Sequence, residues 1–384
     1  MQTGNIIKTI VSPIYVQVAK KKLITRITTL FALSVILVTW GTYAIGAVTQ
    51  NPVKWHPGHY VMLVDPGKDS ARYMSQVYSE LETYPAIRGI ALRFKWSDLE
   101  SARDVYDFKS IDKHLTQLAA RNKRLIILLE TKSFKPEEIL IPNYLKDPAY
   151  EGGVFPHGTG STVKGYNIKL WNTQVHDRLA ALVRAVGKHL NSHPHFEGFG
   201  LQESAMGNPI KPLTAAQTDA YYKNLLSVNQ HMRNNFPNTM TFQYTNYPRG
   251  ILDSFVNGLK TMGATLGCPD VFPQEPGLLF PGSKYSPRGI YTYFPELSGV
   301  IPLAIQVEKA NYENTKHDDT GYQPTVMELL TFAKQKLNVN YLFWTRSPGY
   351  YDDVLLMLNQ NAQKSTPSGG LNSTCPTSFA SCVN

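Results

Sequence analysis

Eight short apolar runs, separated by amphipathic segments, constrain the fold of this 384-residue chain more than any other feature. The runs lie at residues 60–64, 89–94, 125–129, 196–201, 240–244, 270–272, 303–307 and 341–344, and the sixth is weak. The segments between them repeat apolar side chains with a helical period, as at residues 111–120, 175–190, 220–232 and 326–337. Strands that alternate with helices predict βαβ units and a parallel sheet. Eight such units predict an α/β protein whose residues 50–362 form a (β/α)8 barrel.

A doubly wound open sheet is the alternative arrangement of such units. Those sheets usually carry a glycine-rich phosphate-binding turn after the first strand. Here the first run leads into Asp-Pro-Gly-Lys at residues 65–68, which lacks that pattern. The barrel is therefore favoured, and the long segment 134–170 becomes the loop after its third strand. Loops at that end of a barrel surround the active site, so this loop is expected to form a wall of a substrate groove.

Residues 1–49 form a basic leader with an uncharged apolar core at 30–48. This core is just long enough to cross a bilayer as a helix, which takes about 20 residues. All basic residues of the leader precede the core, so the N-terminus is expected in the cytoplasm and the barrel outside it. The core is interpreted as a signal anchor that holds the protein at the inner or plasma membrane, or as a signal peptide that is cleaved to release it.

The formal net charge of +9 divides between the leader and the rest of the chain. The leader carries five basic side chains and no acidic one, which leaves +4 on residues 50–384. That remainder contains no dense run of Lys or Arg, which argues against a nucleic-acid partner. A hydrophobic content of 42% excludes a disordered chain and allows a well-packed core.

Residues 363–384 carry no charge after Lys364 and are rich in Ser, Thr, Gly and Asn. This composition predicts a flexible tail. The tail holds Cys375 and Cys382, which either form a disulfide in an oxidising compartment or remain free thiols. Cys268 stands alone.

Neither a metal nor a cofactor is expected. The histidines at 193 and 195, and the His-Asp-Asp segment at 317–319, lack the helical spacing typical of metal ligands. The sequence contains no P-loop, no nucleophile-elbow motif and no His-Glu-x-x-His motif.

Acidic residues are sparse at the predicted carboxyl ends of the strands, where barrel enzymes place their chemistry. They are Asp65, Glu130, Glu203, Glu275 and Glu308. Strands four and seven lie roughly opposite one another in such a barrel, so Glu203 and Glu308 are expected to face each other across its mouth. A pair of carboxyl groups is what hydrolysis of a glycosidic bond requires.

The sequences around these two residues, Gly-Leu-Gln-Glu-Ser at 200–204 and Ile-Gln-Val-Glu at 305–308, resemble the clan of retaining (β/α)8 glycoside hydrolases. In that clan the acid/base Glu follows strand four and the nucleophile Glu follows strand seven. The resemblance therefore implies that Glu203 is the acid/base and Glu308 the nucleophile. Gln202 stands where the clan usually has an Asn that binds the sugar 2-hydroxyl, and it keeps an amide donor.

The resemblance also implies a set of substrate-binding residues. Residues 92–100 resemble the strand-two segment whose Arg lies near the nucleophile, which indicates Arg93. Trp344, after strand eight, is expected to form the aromatic surface on which the sugar packs, and Trp96 is a second candidate for such a surface. Tyr244, Asn246 and Tyr247, on strand five, are candidates to replace the Tyr or His that assists the nucleophile in the clan.

These residues together imply an exported retaining glycoside hydrolase that cleaves a β-linked oligo- or polysaccharide. Three alternatives remain open at the level of sequence. A barrel could bind glycan without cutting it, a transglycosylase could use the same residues with a sugar acceptor in place of water, and a membrane-anchored structural protein is disfavoured by the acids at strand ends. The expected partners are a carbohydrate substrate and, through the leader, a membrane.

Overall fold

The computed structural model describes residues 51–64, 66–313 and 322–384. The leader, with its predicted signal or membrane segment, lies outside the described residues, as do Asp65 and the His-Asp-Asp segment at 317–319. Within the described ranges, no helix combines the length and apolar character that crossing a membrane requires.

Eight parallel strands close into a barrel, so the predicted (β/α)8 fold is confirmed. The strands are β1 Gly58–Leu63, β2 Ile87–Lys95, β3 Arg124–Glu130, β4 Phe196–Leu201, β5 Met240–Tyr244, β6 Thr265–Cys268, β7 Leu303–Val307 and β8 Tyr341–Thr345. Each strand pairs with the next along the chain, and β8 pairs with β1 to close the barrel.

Amphipathic helices connect most strands and cover the barrel. They are α1 Ala71–Thr83, α2 Lys109–Ala119, α3 Thr173–Leu190, α4 Ala215–Asn235, α5 Leu252–Met262, α6 Val326–Thr331 and α7 Tyr351–Leu358. A π-helical turn, Phe332–Lys336, extends α6. Ser70, Asn172, Thr214 and Thr325 accept backbone hydrogen bonds as N-caps of α1, α3, α4 and α6. Each such cap stabilises its helix by about 1 kcal/mol.

Shorter elements fill the loops at the carboxyl ends of the strands. The loop after β3 forms a hairpin of strands Val154–Thr159 and Thr162–Ile168. Other short elements include the helices Trp96–Leu99, Pro276–Leu279, Phe294–Leu297 and Lys309–Glu313, and the strand pair Glu100–Ala102 with Val105–Tyr106. The short helix Asn361–Lys364 follows α7.

The sixth strand was predicted at residues 270–272, and this is wrong. Gly263 ends α5 in a left-handed conformation, with φ of 68°, and the strand begins at Thr265. The strand itself reads Thr-Leu-Gly-Cys, which is short and carries a weak apolar signal. Asp270, rather than Glu275, is therefore the first acid after β6.

Side chains of the strands alternate between two cores. One parity points into the barrel, where Tyr60, Ile126, Phe242 and Phe343 pack together. The opposite parity packs against the helices. Inside the barrel, β4 passes close to Phe242, and a Cβ on Gly200 would lie 2.2 Å from its ring, so this position accepts only glycine. A close-packed interior of this kind leaves room for a site only at the ends of the strands.

The prediction of a flexible tail at 363–384 is wrong, because this segment packs on the amino-terminal end of the barrel. Cys382–Val383 pairs as a parallel strand with Val53–Lys54. Phe379 is buried against Trp55, with ring centroids 5.9 Å apart. Cys375 and Cys382 form a disulfide that closes this segment. Its Ser- and Thr-rich composition did not reveal the buried apolar anchor and the covalent link that offset the cost of ordering the chain.

Replacement of both tail cysteines by serine should lower the free energy of unfolding by about 2–3 kcal/mol, because the disulfide restricts the unfolded chain. Denaturant unfolding of the Cys375→Ser/Cys382→Ser protein beside the wild type measures this difference. Reductant should destabilise the wild type and leave the double variant unchanged. Equal stability of the two proteins without reductant would contradict the role given to the disulfide.

Candidate active site

A cavity of about 370 Å³ opens at the carboxyl ends of the strands. Its lining consists of Arg93, Leu128, Phe134, Gln202, Glu203, Tyr244, Pro269, Asp270, Gln306, Glu308, Lys309 and Ala310. The structure thus brings Glu203, Glu308, Arg93 and Gln202 together at one cavity. This is the position at which barrel enzymes carry their active sites.

Glu308 directly follows β7 and has the inward parity of that strand. Its carboxylate accepts hydrogen bonds from Arg93 and from Gln306, and Thr345 Oγ1 lies 3.5 Å from Oε2. The backbone N–H of Glu308 donates to Asn311 Oδ1 at 2.7 Å. Side-chain and main-chain contacts from β2, β7, β8 and the following loop therefore hold this carboxylate in one orientation.

Arg93 reaches from β2 across the mouth of the barrel to Glu308. Its side chain is 18% exposed, and its Nη1 also donates to Glu130 Oε1 at 3.4 Å. Burial works against the cation, but Glu308 and Glu130 outweigh it and raise the pKa of Arg93 above its usual range. Burial in turn raises the pKa of Glu130, despite the attraction of Arg93. Arg93 thus supplies a permanent positive charge beside Glu308.

Glu203 lies just beyond β4 and binds two donors. Lys132 Nζ is 2.7 Å from Oε1, and Asn246 Nδ2 is 2.7 Å from Oε2. Lys132 is 4% exposed and also donates to the backbone oxygen of Ala205 at 2.7 Å. A buried ammonium needs such partners, because transfer out of water is costly without them. The Lys132–Glu203 ion pair was missed from the sequence, although Lys132 stands two residues beyond a strand end.

Gln202 lines the cavity, but its amide serves the backbone of the neighbouring strand end. Its Oε1 accepts hydrogen bonds from the backbone N–H groups of Thr131 and Lys132, at 2.7 and 2.8 Å. Its Nε2 donates to the backbone oxygen of Lys132 at 3.1 Å. The side chain therefore fixes Lys132, and through it Glu203. The predicted donation of its amide to a sugar hydroxyl would require these bonds to break.

The two predicted tryptophan platforms are corrected by the structure. Trp344 and Trp96 are both fully buried. Trp344 lies between two inward positions of β8 and packs with the helices, and its Nε1 donates to His59 Nδ1 at 3.1 Å. Trp96 likewise packs in the helix-facing core and donates to Glu100 Oε2 at 2.8 Å. Both rings therefore pack away from the cavity, and neither can stack on a sugar.

The three candidates from strand five have different positions. Asn246 is buried, and its contact with Glu203 makes it part of the site. Tyr247 lies outside the cavity lining, and its hydroxyl donates to Glu275 Oε1 at 3.3 Å. Tyr244, the third candidate, lines the cavity, and its buried hydroxyl has no hydrogen-bond partner among the described residues. Burial raises the pKa of Tyr244 well above its usual range.

Asp270 is a third cavity carboxyl, which the misplaced sixth strand concealed. Burial, followed by repulsion from Glu308, raises its pKa to about 7. Asn311 Nδ2 lies 3.3 Å from Oδ1 and joins the end of β6 to the end of β7. At neutral pH this group is therefore close to half protonated and can donate as well as accept a hydrogen bond.

Phe134 is the exposed aromatic ring of the cavity, and sequence reasoning also missed it. It lies in the loop after β3 and is 60% exposed.

The described residues contain no cluster of three or more His, Cys, Asp or Glu side chains suited to a metal ion.

Solved structures with a similar fold include several enzymes of carbohydrate breakdown. The catalytic domain of β-amylase from Paenibacillus polymyxa is 10% identical with a TM-score of 0.54, covering 79% of this chain and 98% of that one. The β-galactosidase from Marinomonas ef1 is 10% identical with a TM-score of 0.53, covering 82% and 61%. That from Bacillus circulans sp. alkalophilus is 9% identical with a TM-score of 0.52, covering 77% and 51%.

The chain thus spans nearly all of the β-amylase domain and about half to three fifths of these two β-galactosidases. No protein-family profile and no curated protein sequence matches the chain. At identities this low the comparisons show the fold, which is the (β/α)8 barrel of these glycoside-cleaving enzymes.

Substitution of Asp270 by Asn should stabilise the protein above neutral pH. The wild-type carboxyl has a folded pKa of about 7 against an ordinary value of 3.8, so its contribution to stability is complete below pH 4 and is lost as pH rises to 7. The full shift corresponds to about 4 kcal/mol, which partial exposure to solvent reduces. Denaturant unfolding from pH 4 to pH 8 should show the gain of Asp270→Asn growing up to pH 7 and then levelling off. A gain that does not change with pH would contradict the assignment.

Proposed function

We propose that this protein is a retaining glycoside hydrolase that cleaves a β-linked oligo- or polysaccharide. The observation that carries the proposal is the pair of carboxylates at one cavity, Glu203 beyond β4 and Glu308 beyond β7, each bound by a cation and by an amide. Two carboxyl groups on either side of a glycosidic bond are the machinery of this reaction.

In the proposed reaction Glu308 attacks the anomeric carbon while Glu203, which must carry a proton for this step, gives that proton to the leaving oxygen. The bond to the leaving group breaks, and a covalent glycosyl ester of Glu308 forms. Glu203, now a base, takes a proton from water, whose oxygen attacks the anomeric carbon and releases Glu308. Arg93 orients Glu308 throughout, and Lys132 and Asn246 orient Glu203.

The proposed bond type also has support from the comparisons. Two of the structures with TM-scores above 0.5 are named β-galactosidases, which supports a β-linked substrate, whereas the β-amylase domain supports only the fold. From these β-galactosidases we extend to this protein only the class of reaction, hydrolysis of a β-glycosidic bond. The sugar that this cavity binds is left open.

We also propose that the barrel works outside the cytoplasm. The Cys375–Cys382 disulfide supports this placement, because such bonds persist in oxidising compartments. The basic leader at residues 1–49, with its apolar core at 30–48, supports export by a signal anchor or by a cleaved signal peptide.

Substitution of Glu203 or Glu308 by Gln should each lower kcat/KM at least about a hundredfold, because an amide of the same shape can neither transfer the proton nor form the ester. Turnover of a panel of β-linked oligosaccharides and aryl β-glycosides by the full-length protein measures the effect. Glu296→Gln, at an exposed ion pair with Arg288, is the matched control and should retain activity.

The first sugar product should keep the β configuration, which NMR of early reaction mixtures detects. An α product would contradict the covalent mechanism. Equal turnover by wild type and Glu203→Gln would remove Glu203 from the reaction, and binding of glycans without turnover would favour a glycan-binding barrel.

A further inference from the structure

Phe134 presents an apolar ring to solvent inside the candidate active site. It is 60% exposed and lines the same cavity as Glu203 and Glu308. An apolar ring left in solvent at a reaction site gives up burial energy that a ligand covering it would recover.

The ring is held in place by its neighbours. Lys132 Nζ lies 4.6 Å from the ring centroid, and the ring of His157 meets it edge to face with centroids 6.1 Å apart. His157 belongs to the hairpin after β3, and its Nε2 lies 2.9 Å from the backbone oxygen of Ser133. A Cβ on Gly207 would lie 2.6 Å from the His157 ring, which shows how closely the next loop packs against it. Phe134 is therefore a pre-positioned surface.

Lys132 places this surface on the side of the cavity where Glu203 acts. Its ammonium contacts the Glu203 carboxylate at 2.7 Å and the Phe134 ring at the same time. In the proposed reaction Glu203 protonates the leaving oxygen. The group attached to that oxygen is therefore the part of the substrate that comes closest to Phe134.

We propose that Phe134 forms the subsite for the leaving group and that this group is a sugar ring stacked on the phenyl face. The inference rests on the proposed function and extends it to the substrate class, which is a saccharide with a sugar on both sides of the cleaved bond. A pyranose ring has one face of C–H groups, which packs flat on an aromatic ring, whereas a small alkyl or halide leaving group covers none of it.

A comparison of two substrates tests the subsite. One is the β-linked oligosaccharide that the wild-type protein turns over, and the other is the β-glycosyl fluoride of the same sugar, whose leaving group has no ring. Phe134→Ala should lower kcat/KM for the oligosaccharide at least tenfold, which is about 1.4 kcal/mol. The fluoride should change less than twofold, because its leaving group does not reach the ring.

Two further variants serve as controls. Phe134→Trp keeps an aromatic face and should retain oligosaccharide turnover. Tyr285→Ala removes an aromatic ring that is 87% exposed and outside the cavity lining, and it should leave both substrates unaffected.

The outcomes separate this inference from the function on which it rests. Unchanged oligosaccharide turnover by Phe134→Ala, or equal losses on both substrates, would overturn the leaving-group subsite and leave the hydrolase intact. Failure of the wild-type protein to turn over any glycoside or glycosyl fluoride would overturn the proposed function, and the subsite with it.

Discussion

The two-residue alternation of side chains along the barrel strands is the constraint on which the rest of the structure depends. The lower inward layers hold large apolar residues such as Phe242 and Phe343. At the carboxyl ends the same parity carries polar residues, among them Arg93, Gln306 and Glu308. A reaction centre exists because the inward column changes from apolar to charged at the ends of β2, β3 and β7, where Arg93, Glu130 and Glu308 lie. The apolar layers beneath stop water and side chains from relaxing into the barrel.

The pairing of opposite charges then determines the electrostatics of the cavity. Arg93 faces Glu308 and Glu130, and Lys132 faces Glu203, which satisfies the requirement that charges removed from water be paired. Asp270 lies where burial and the repulsion of Glu308 outweigh the attraction of Arg93, and its pKa rises for that reason. The cavity thus combines two acidic side chains bound by cations with Asp270, a carboxyl group whose pKa burial raises.

Much of the fold was predictable because it follows from local periodicity. Seven of the eight apolar runs became strands near their predicted places. Glu203 and Glu308 followed from counting strand ends, and Arg93 from the resemblance to the glycoside hydrolase clan. The sixth strand was misplaced because a buried strand of small residues has little apolar signal. That error concealed Asp270. The tail was misjudged because its composition is that of a flexible segment, while its order depends on a disulfide and on contacts with residues more than 300 positions earlier in the chain.

The sequence by itself determined the barrel, the strand ends that carry acids, and the division of charge between leader and body, because these depend on neighbours along the chain. Tertiary structure alone decided which side chains face the cavity. It turned Trp96 and Trp344 into the outer core and exposed Phe134. It also joined Lys132 to Glu203 across 71 positions. Lys132 and Glu203 meet because β3 and β4 pair side by side, whereas Arg93 on β2 reaches Glu308 after β7 only because the barrel closes through β8 and β1.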